Sequence, residues 1–333
     1  MQPTTQLVDE MFAAIGLPHG QRKTRGTQSK KHRNPAARKP AAPPAAVELL
    51  RNPAWSHYPW LQHGFSTRQG GLTTLYSGDR ATGELNLGYT PADTRANVDR
   101  NRRRLVRAIS PNAKSRPTLV TLRQIHSGLI HTIAGEQTSA LKGDGLLTNQ
   151  PGQLLGIQTA DCVPILLVDP VNRAVAAFHA GWRGTVQRIV ERGVGLMRAR
   201  FNSDPAQLQA AIGPSIGPCC YAVREEVVSE FSSQFAHSAE LFREVFDSDP
   251  VKKKYPMLFL TARAPGHSNI GPQIHLDLWE ANRRQLLDAG LAAENIWVAG
   301  ECTQCHPEKY FSHRGEQGFT GRMLAVVGTS IRP

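Results

Sequence analysis

Two stretches in the middle of the chain break the usual mixture of polar and apolar positions. Ile165–Val168 and Ala174–Phe178 are apolar at every position. Runs this short and this continuous read as strands buried on both faces. Asp169-Pro170 and Asn172 lie between them and supply turn chemistry, so the two are expected to lie side by side in one sheet.

Around this centre the pattern alternates between helix and strand spacing. Phe65–Thr67 reads as a strand, Gln69-Gly70-Gly71 as a flexible loop, and Leu85–Gly88 as a short strand and turn. Ala92–Ser110 has Val98, Leu105, Val106 and Ile109 on one stripe behind Asp93 or Thr94, which predicts a capped helix. Thr118–Ile125 and Leu129–Ile133 are strand-like and flank a turn at His126. Gly143–Asn149 reads as turn, strand, turn. Thr185–Phe201 places Val186, Ile189, Val190, Val194, Met197 and Phe201 at helical spacing, starting at Gly184 or Thr185. Further strands are expected at Ala210–Ile212, Ile274–Leu276, Asn295–Ala299 and Met323–Val327. Helices are expected at Val223–Phe235 and Asp277–Ala289, the latter stopped by Gly290. Ser238–Tyr255 reads as irregular. Strands and helices mix along the whole chain, which predicts an α/β (α+β) class.

Composition changes this picture at one end only. The formal net charge is +12, and residues 1–45 contribute +6 of it. Within them Val8–Leu17 is weakly amphipathic, but residues 22–44 are Lys/Arg, Ala and Pro without an apolar period. Such a segment cannot offset the entropy of ordering. Residues 1–45 are therefore expected to be a disordered basic tail, and residues 46–333 the folded domain. Contact with nucleic acid or an anionic surface is expected only through the tail. No apolar run approaches the roughly 18–20 residues that span a bilayer, so no membrane partner is expected. No secretory signal is visible, and five cysteines in 333 residues do not suggest a disulfide framework. A reduced cytoplasm is the expected location.

The chemistry gathers at strand ends. Cys162 precedes the first apolar run, His179 follows the second, and His126 follows the strand-like Thr118–Ile125. Two imidazoles and a thiolate delivered to one place make a three-ligand site for zinc with a fourth position open. Asp161 is a candidate to orient one imidazole or to pair with Arg183. Arg68 and Arg183 are candidates to bind phosphate in one cleft. Asp144, Asp161 and Glu301 are the candidate acids. Cys302-x-x-Cys305-His306 matches a haem-attachment pattern. No export signal accompanies it, so it reads as loop architecture at the pocket rim. Cys219-Cys220 is assigned no chemistry.

HGFSTRQGG, RQIHSG, GDGLLTN, TADCVPILLVD, AAFHAGWRGTV, AIGPSIGPCCYAV, HLDLWEANRRQL and CHPEKYFSHRGEQGFTGRM, in this order, resemble the purine nucleoside phosphorylase / polyphenol oxidase (laccase-domain) family. The resemblance spans Trp60 to Gly328. It implies a single domain of stacked mixed β-sheets flanked by helices, similar to the catalytic domain of cytotoxic necrotizing factor. It also implies a metal, usually zinc, held by His126, Cys162 and His179. The implied substrates are phosphate and a purine nucleoside (adenosine, inosine, guanosine or methylthioadenosine), with adenosine deamination as a second activity. Copper-dependent phenol oxidation and editing of peptidoglycan precursors are the implied alternatives. A multicopper cluster needs paired histidines, and the 12 histidines include no H-x-H pair. The one H-x-E, His306-Pro307-Glu308, is not followed by the P-C-x-x-C of zinc nucleobase deaminases.

Overall fold

The computed structural model describes residues 45–76, 83–111, 115–135, 141–245 and 273–331. The basic tail, apart from Ala45, lies outside these residues, as does residues 246–255 of the segment expected to be irregular.

The two apolar runs form Val163–Asp169 and Ala174–Ala180, paired antiparallel with Ile165 opposite Phe178. Both strands are buried along their whole length because each face meets a different layer. Ile165, Leu167, Ala176 and Phe178 join a core shared with helices. Leu166, Val168, Val175 and Ala177 join a core shared with a second sheet. The period of two places successive residues in opposite layers.

The first sheet runs Ile296–Val298, Gln209–Ile212, Val163–Asp169, Ala174–Ala180, Gly145–Thr148, Ile130–Thr132. The second runs Leu49–Leu50, Leu61–Ser66, Met323–Thr329, Gln153–Thr159, Thr118–Thr121. The helix Arg95–Ile109 covers the outer face of the second sheet with Leu105, Val106 and Ile109 against Leu154, Leu324 and Val326. Ile189–Phe201, Glu225–Gln234 and Leu278–Asp288 cover the outer face of the first. A small antiparallel sheet, Ala222–Val223, Gln273–Leu276 and Phe242–Val245, lies beside these helices in the chain. The expected mixed α/β domain with stacked sheets and flanking helices is therefore present. Among the described residues no helix is long and apolar enough to cross a membrane.

Local departures from the expected elements have identifiable causes. Gln69–Thr73 is a strand rather than a loop. Its glycines allow close backbone approach: a Cβ at Gly71 would lie 2.0 Å from the Glu84 carbonyl. Leu85–Gly88 forms no strand, because the buried Asn101 side chain takes up the Glu84 and Asn86 carbonyls. The strand expected to reach Ile125 ends at Thr121. Beyond it the Gln124 side chain replaces the ladder, bonding Gln158 N at 2.7 Å and Gln158 O at 2.8 Å. The main chain is thereby released to turn at His126, whose φ is 57°. The single helix expected over Thr185–Phe201 is two, Trp182–Val186 and Ile189–Phe201, split by Arg188 at φ 56°.

One buried histidine gives the fold an acid limit. His63 is 6% exposed and edge-on to Trp55, with ring centroids 4.9 Å apart. Burial, helped by the Arg51 charge, lowers its pKa from 6.5 to about 4. The folded state keeps this ring neutral while the unfolded chain takes up a proton below 6.5, so stability falls as pH drops from 6.5 toward 4. Full titration of the difference is worth on the order of 3 kcal/mol. Denaturant unfolding of His63→Phe should show a flatter dependence on pH across that window. An unchanged slope would mean that other groups set the acid limit.

Candidate metal centre

The chain crosses from one sheet to the other between Thr159 and Val163. Asp161 makes the corner at φ 92°, and Cys162 follows it directly. His179 sits opposite Pro164 in the paired strand, so thiol and imidazole emerge at the same sheet end. The loop after Thr118–Thr121 brings His126 to them. The three ligand atoms lie within 4.8 Å of one another, with Cys162 Sγ 3.9 Å from His126 Nε2. A Cβ at Gly181 would lie 2.9 Å from Cys162 Sγ, so glycine there keeps the cradle clear. The structure brings these three side chains together.

The residue that assembles the site is Asp144, which sequence reasoning placed only among the acids. It is fully buried. Its Oδ1 accepts from His179 Nδ1 at 2.9 Å and from the His126 amide at 3.0 Å. Its Oδ2 accepts from the Ser127 amide at 2.6 Å, the Ser127 hydroxyl at 2.7 Å and the Ile125 amide at 3.3 Å. Burial alone would raise this carboxyl, but the bonds from His179 and Ser127 outweigh it and bring it down to about 2. Asp144 therefore ties the His126 loop to the His179 ring and leaves His179 Nε2 to face the thiol. Gln187 adds a second tie, accepting from the Gly128 amide at 2.8 Å; the break between the two helices places it there.

Thiol and imidazole polarise each other. Burial raises the Cys162 thiol, yet the His179 charge and bonds with His126 and His179 outweigh it and lower it to about 6. Burial lowers His179, yet the Cys162 charge and the Asp144 bond raise it to about 9. Both shifts favour the charged form, a thiolate beside an imidazolium. A divalent ion bound here would replace that proton as the partner of the thiolate, and the donor set fits a borderline-soft ion such as zinc. Asp144→Asn should weaken zinc affinity by roughly 10–100-fold, measured by competition with a chromophoric chelator. Unchanged affinity would remove Asp144 from the ligand-orienting role.

The other expected site residues divide. Asp161 orients no imidazole: it accepts from Thr303 Oγ1 and Ser312 Oγ at 2.7 Å each and from the Arg314 amide at 2.6 Å. That commitment replaces the expected pairing with Arg183. Glu301 is held by Lys309 and Tyr310. Arg183 is exposed and stacked on the Trp182 ring at 4.3 Å, three residues beyond Ala180. Arg68 departs from its expected place at a phosphate. It is 1% exposed, and its Nε and two terminal nitrogens bond Glu84, Glu316 and the carbonyls of Pro307, Tyr310 and Tyr76. Five acceptors use the five donors of a guanidinium, so none is left for a ligand. A cation missed by sequence reasoning is Arg314, exposed on the loop that also anchors Asp161. The charges of Arg314, Arg183, Asp161 and Cys162 all act on the Tyr221 phenol, which burial keeps protonated. The signal in sequence was its place in the SHRGEQ block, where the neighbouring His313 and Gly315 drew no attention.

The family model described as multi-copper polyphenol oxidoreductase laccase matches residues 62–330. Purine nucleoside phosphorylase YlmD of Geobacillus stearothermophilus is 37% identical over 284 residues, covering 81% of this chain and 94% of that protein. Adenosine deaminase RL5, from an unknown prokaryotic organism, is 38% identical over 205 residues, covering 59% of this chain and 69% of its own. The crystal structure of Bacillus licheniformis hypothetical protein YfiH matches with a TM-score of 0.68 at 29% identity, covering 86% of this chain and 97% of that one.

Proposed function

The chain belongs to the multi-copper polyphenol oxidoreductase laccase family, and from that premise we propose that it is an enzyme that transforms purine nucleosides at a zinc ion held by His126, Cys162 and His179. The observation that carries the proposal is the convergence of two imidazoles and a low-pKa thiol, organised by Asp144. The relative named a purine nucleoside phosphorylase points to the reaction class.

When bound, zinc supplies Lewis acidity, polarising the substrate and making water more acidic. The chain supplies the rest. Asp144 holds His179 in one tautomer, with Nδ1 donating to it. Arg183 and Arg314 form the cationic rim that attracts phosphate and places it beside the sugar. Tyr221, kept neutral by burial, offers a phenolic O–H to the same space. In phosphorolysis the bond between C1′ and the purine nitrogen breaks, a bond from C1′ to a phosphate oxygen forms, and the base leaves with a proton.

Deamination of adenosine at the same centre is the second reading, favoured by the relative named an adenosine deaminase. Copper-dependent phenol oxidation has weaker support. Among the described residues two groups can ligate a metal, one His2Cys set and one of four cysteines. Neither offers the paired histidines of a trinuclear copper cluster.

Product analysis distinguishes the readings. Zinc-loaded protein is incubated with inosine and with adenosine, with and without phosphate. Release of free base with ribose 1-phosphate, dependent on phosphate, is the expected result. Ammonia from adenosine with no base from either nucleoside would leave deamination alone.

A further inference from the structure

We propose that Cys219, Cys220, Cys302 and Cys305 form a second metal site, a tetrathiolate that holds one zinc ion and staples together two loops behind the His126–Cys162–His179 centre.

The topology makes the meeting possible. Gln209–Ile212 and Ile296–Val298 are parallel neighbours in the six-stranded sheet, so the loops that follow them leave from the same end. The pairing continues into the loops: the Ser215 amide donates to Glu301 O at 3.2 Å, and the Thr303 amide to Ser215 O at 3.0 Å. A vicinal pair on one loop, Cys219-Cys220, thus faces the ends of a C-x-x-C on the other. Sequence alone did not connect the two pairs, because more than 80 residues separate Cys220 from Cys302.

The sulfur geometry separates a metal site from a disulfide. Cys305 Sγ lies 3.5 Å from both Cys219 Sγ and Cys220 Sγ, and all four sulfurs lie within 4.8 Å of one another. A disulfide requires about 2.05 Å between one pair. A tetrahedral ion with metal–sulfur bonds of about 2.3 Å sets its sulfurs about 3.8 Å apart, close to the spacing observed. The four converge on one point, which suits a single ion rather than a multi-iron cluster whose ligands surround several metals. The set is all sulfur, which selects a soft or borderline ion and makes zinc the choice in a reduced compartment. The Gly217 amide donates to Cys302 Sγ at 3.2 Å, and the Cys305 amide also contacts that sulfur. Amides aimed at sulfur favour the thiolate that a metal requires. Cys302 is buried while Cys219 and Cys305 are exposed, so the site has a floor and an open side for entry.

The stapled loops reach the first centre. Thr303, between the two cysteines of the C-x-x-C, bonds Asp161 Oδ1, and the Ile216 amide donates to Asp161 O at 2.8 Å. Asp161 is the corner that presents Cys162. The second ion would therefore hold the wall from which the first ion's thiolate projects, without sharing a ligand with it.

Metal content of the full-length chain tests this, and its failure is separable from failure of the nucleoside reading. Protein produced with zinc should carry two zinc ions per chain by elemental analysis, Cys162→Ala one, and Cys219→Ser/Cys305→Ser one. Should the serine variant fail to fold, Cys162→Ala still decides, since it leaves the four cysteines in place. Loaded with cobalt, it should retain an intense thiolate-to-cobalt absorption and d–d bands of a tetrahedral ion. A wild type with one zinc that Cys162→Ala removes would overturn the proposal. An intact mass 2 Da below the reduced value would replace it with a disulfide, and iron in place of zinc would overturn the assigned ion.

Discussion

Cys162→Ala is expected to abolish phosphorolysis and deamination together, lowering kcat/KM by more than about 100-fold. Loss of a residue that only orients a ligand costs 10–100-fold in metal affinity or activity, and loss of a ligand itself exceeds that. The substitution removes the one anionic ligand and leaves His179 facing an empty cradle beside Gly181. It should spare the fold, because Cys162 is only half-buried and precedes, rather than joins, the buried strand Val163–Asp169. The measurement is kcat/KM for inosine and adenosine, with zinc content and the thermal midpoint on the same samples. Adenosine phosphorolysis that survives in zinc-free Cys162→Ala would sink the metal-centred mechanism.

Arg68→Ala is expected to cost stability rather than catalysis, by about 3–5 kcal/mol. The guanidinium is enclosed by Glu84 at 2.7 Å and Glu316 at 3.0 Å and lies over Phe311 at 4.4 Å from the ring centroid. Removing it leaves two carboxylates facing each other's charge and takes one donor from each of three carbonyls. Denaturant unfolding measures the loss. Enzyme that remains folded should show an unchanged KM for phosphate, whereas Arg183→Ala should raise that KM. A phosphate KM that rises in Arg68→Ala while its stability is untouched would restore Arg68 to the anion site.

These outcomes show which parts of the site could be read from residues alone. Cys162 and His179 were legible because each borders an apolar run, and two adjacent strands bring such borders together. His126 was legible as the turn after a strand, although the strand stops four residues sooner. Asp144 was not, because its role depends on pairing between Gly145–Thr148 and Ala174–Ala180, 29 positions apart at their starts. Arg68 misled for a related reason: a loop arginine beside glycines looks available, and its acceptors Pro307, Tyr310 and Glu316 lie more than 230 residues away. The helix break at Arg188 was invisible to periodicity, since apolar positions on both sides keep the same phase. The layers themselves followed from burial pattern, because a strand apolar at every position requires cover on both faces.

The position of Met323–Thr329 bears on how the protein is made. This strand follows every other strand in sequence, yet it lies in the middle of the five-stranded sheet, antiparallel to Leu61–Ser66 on one side and Gln153–Thr159 on the other. Until translation passes Thr329, those two strands have open edges facing one another across a gap one strand wide. Leu155, Ile157 and Phe65 share their buried cluster with Ala325 and Val327 of this strand, and without it they lose that cover. Such edges are templates for pairing with other chains. A chain that ends before residue 323 therefore lacks the strand that joins the two parts of this sheet.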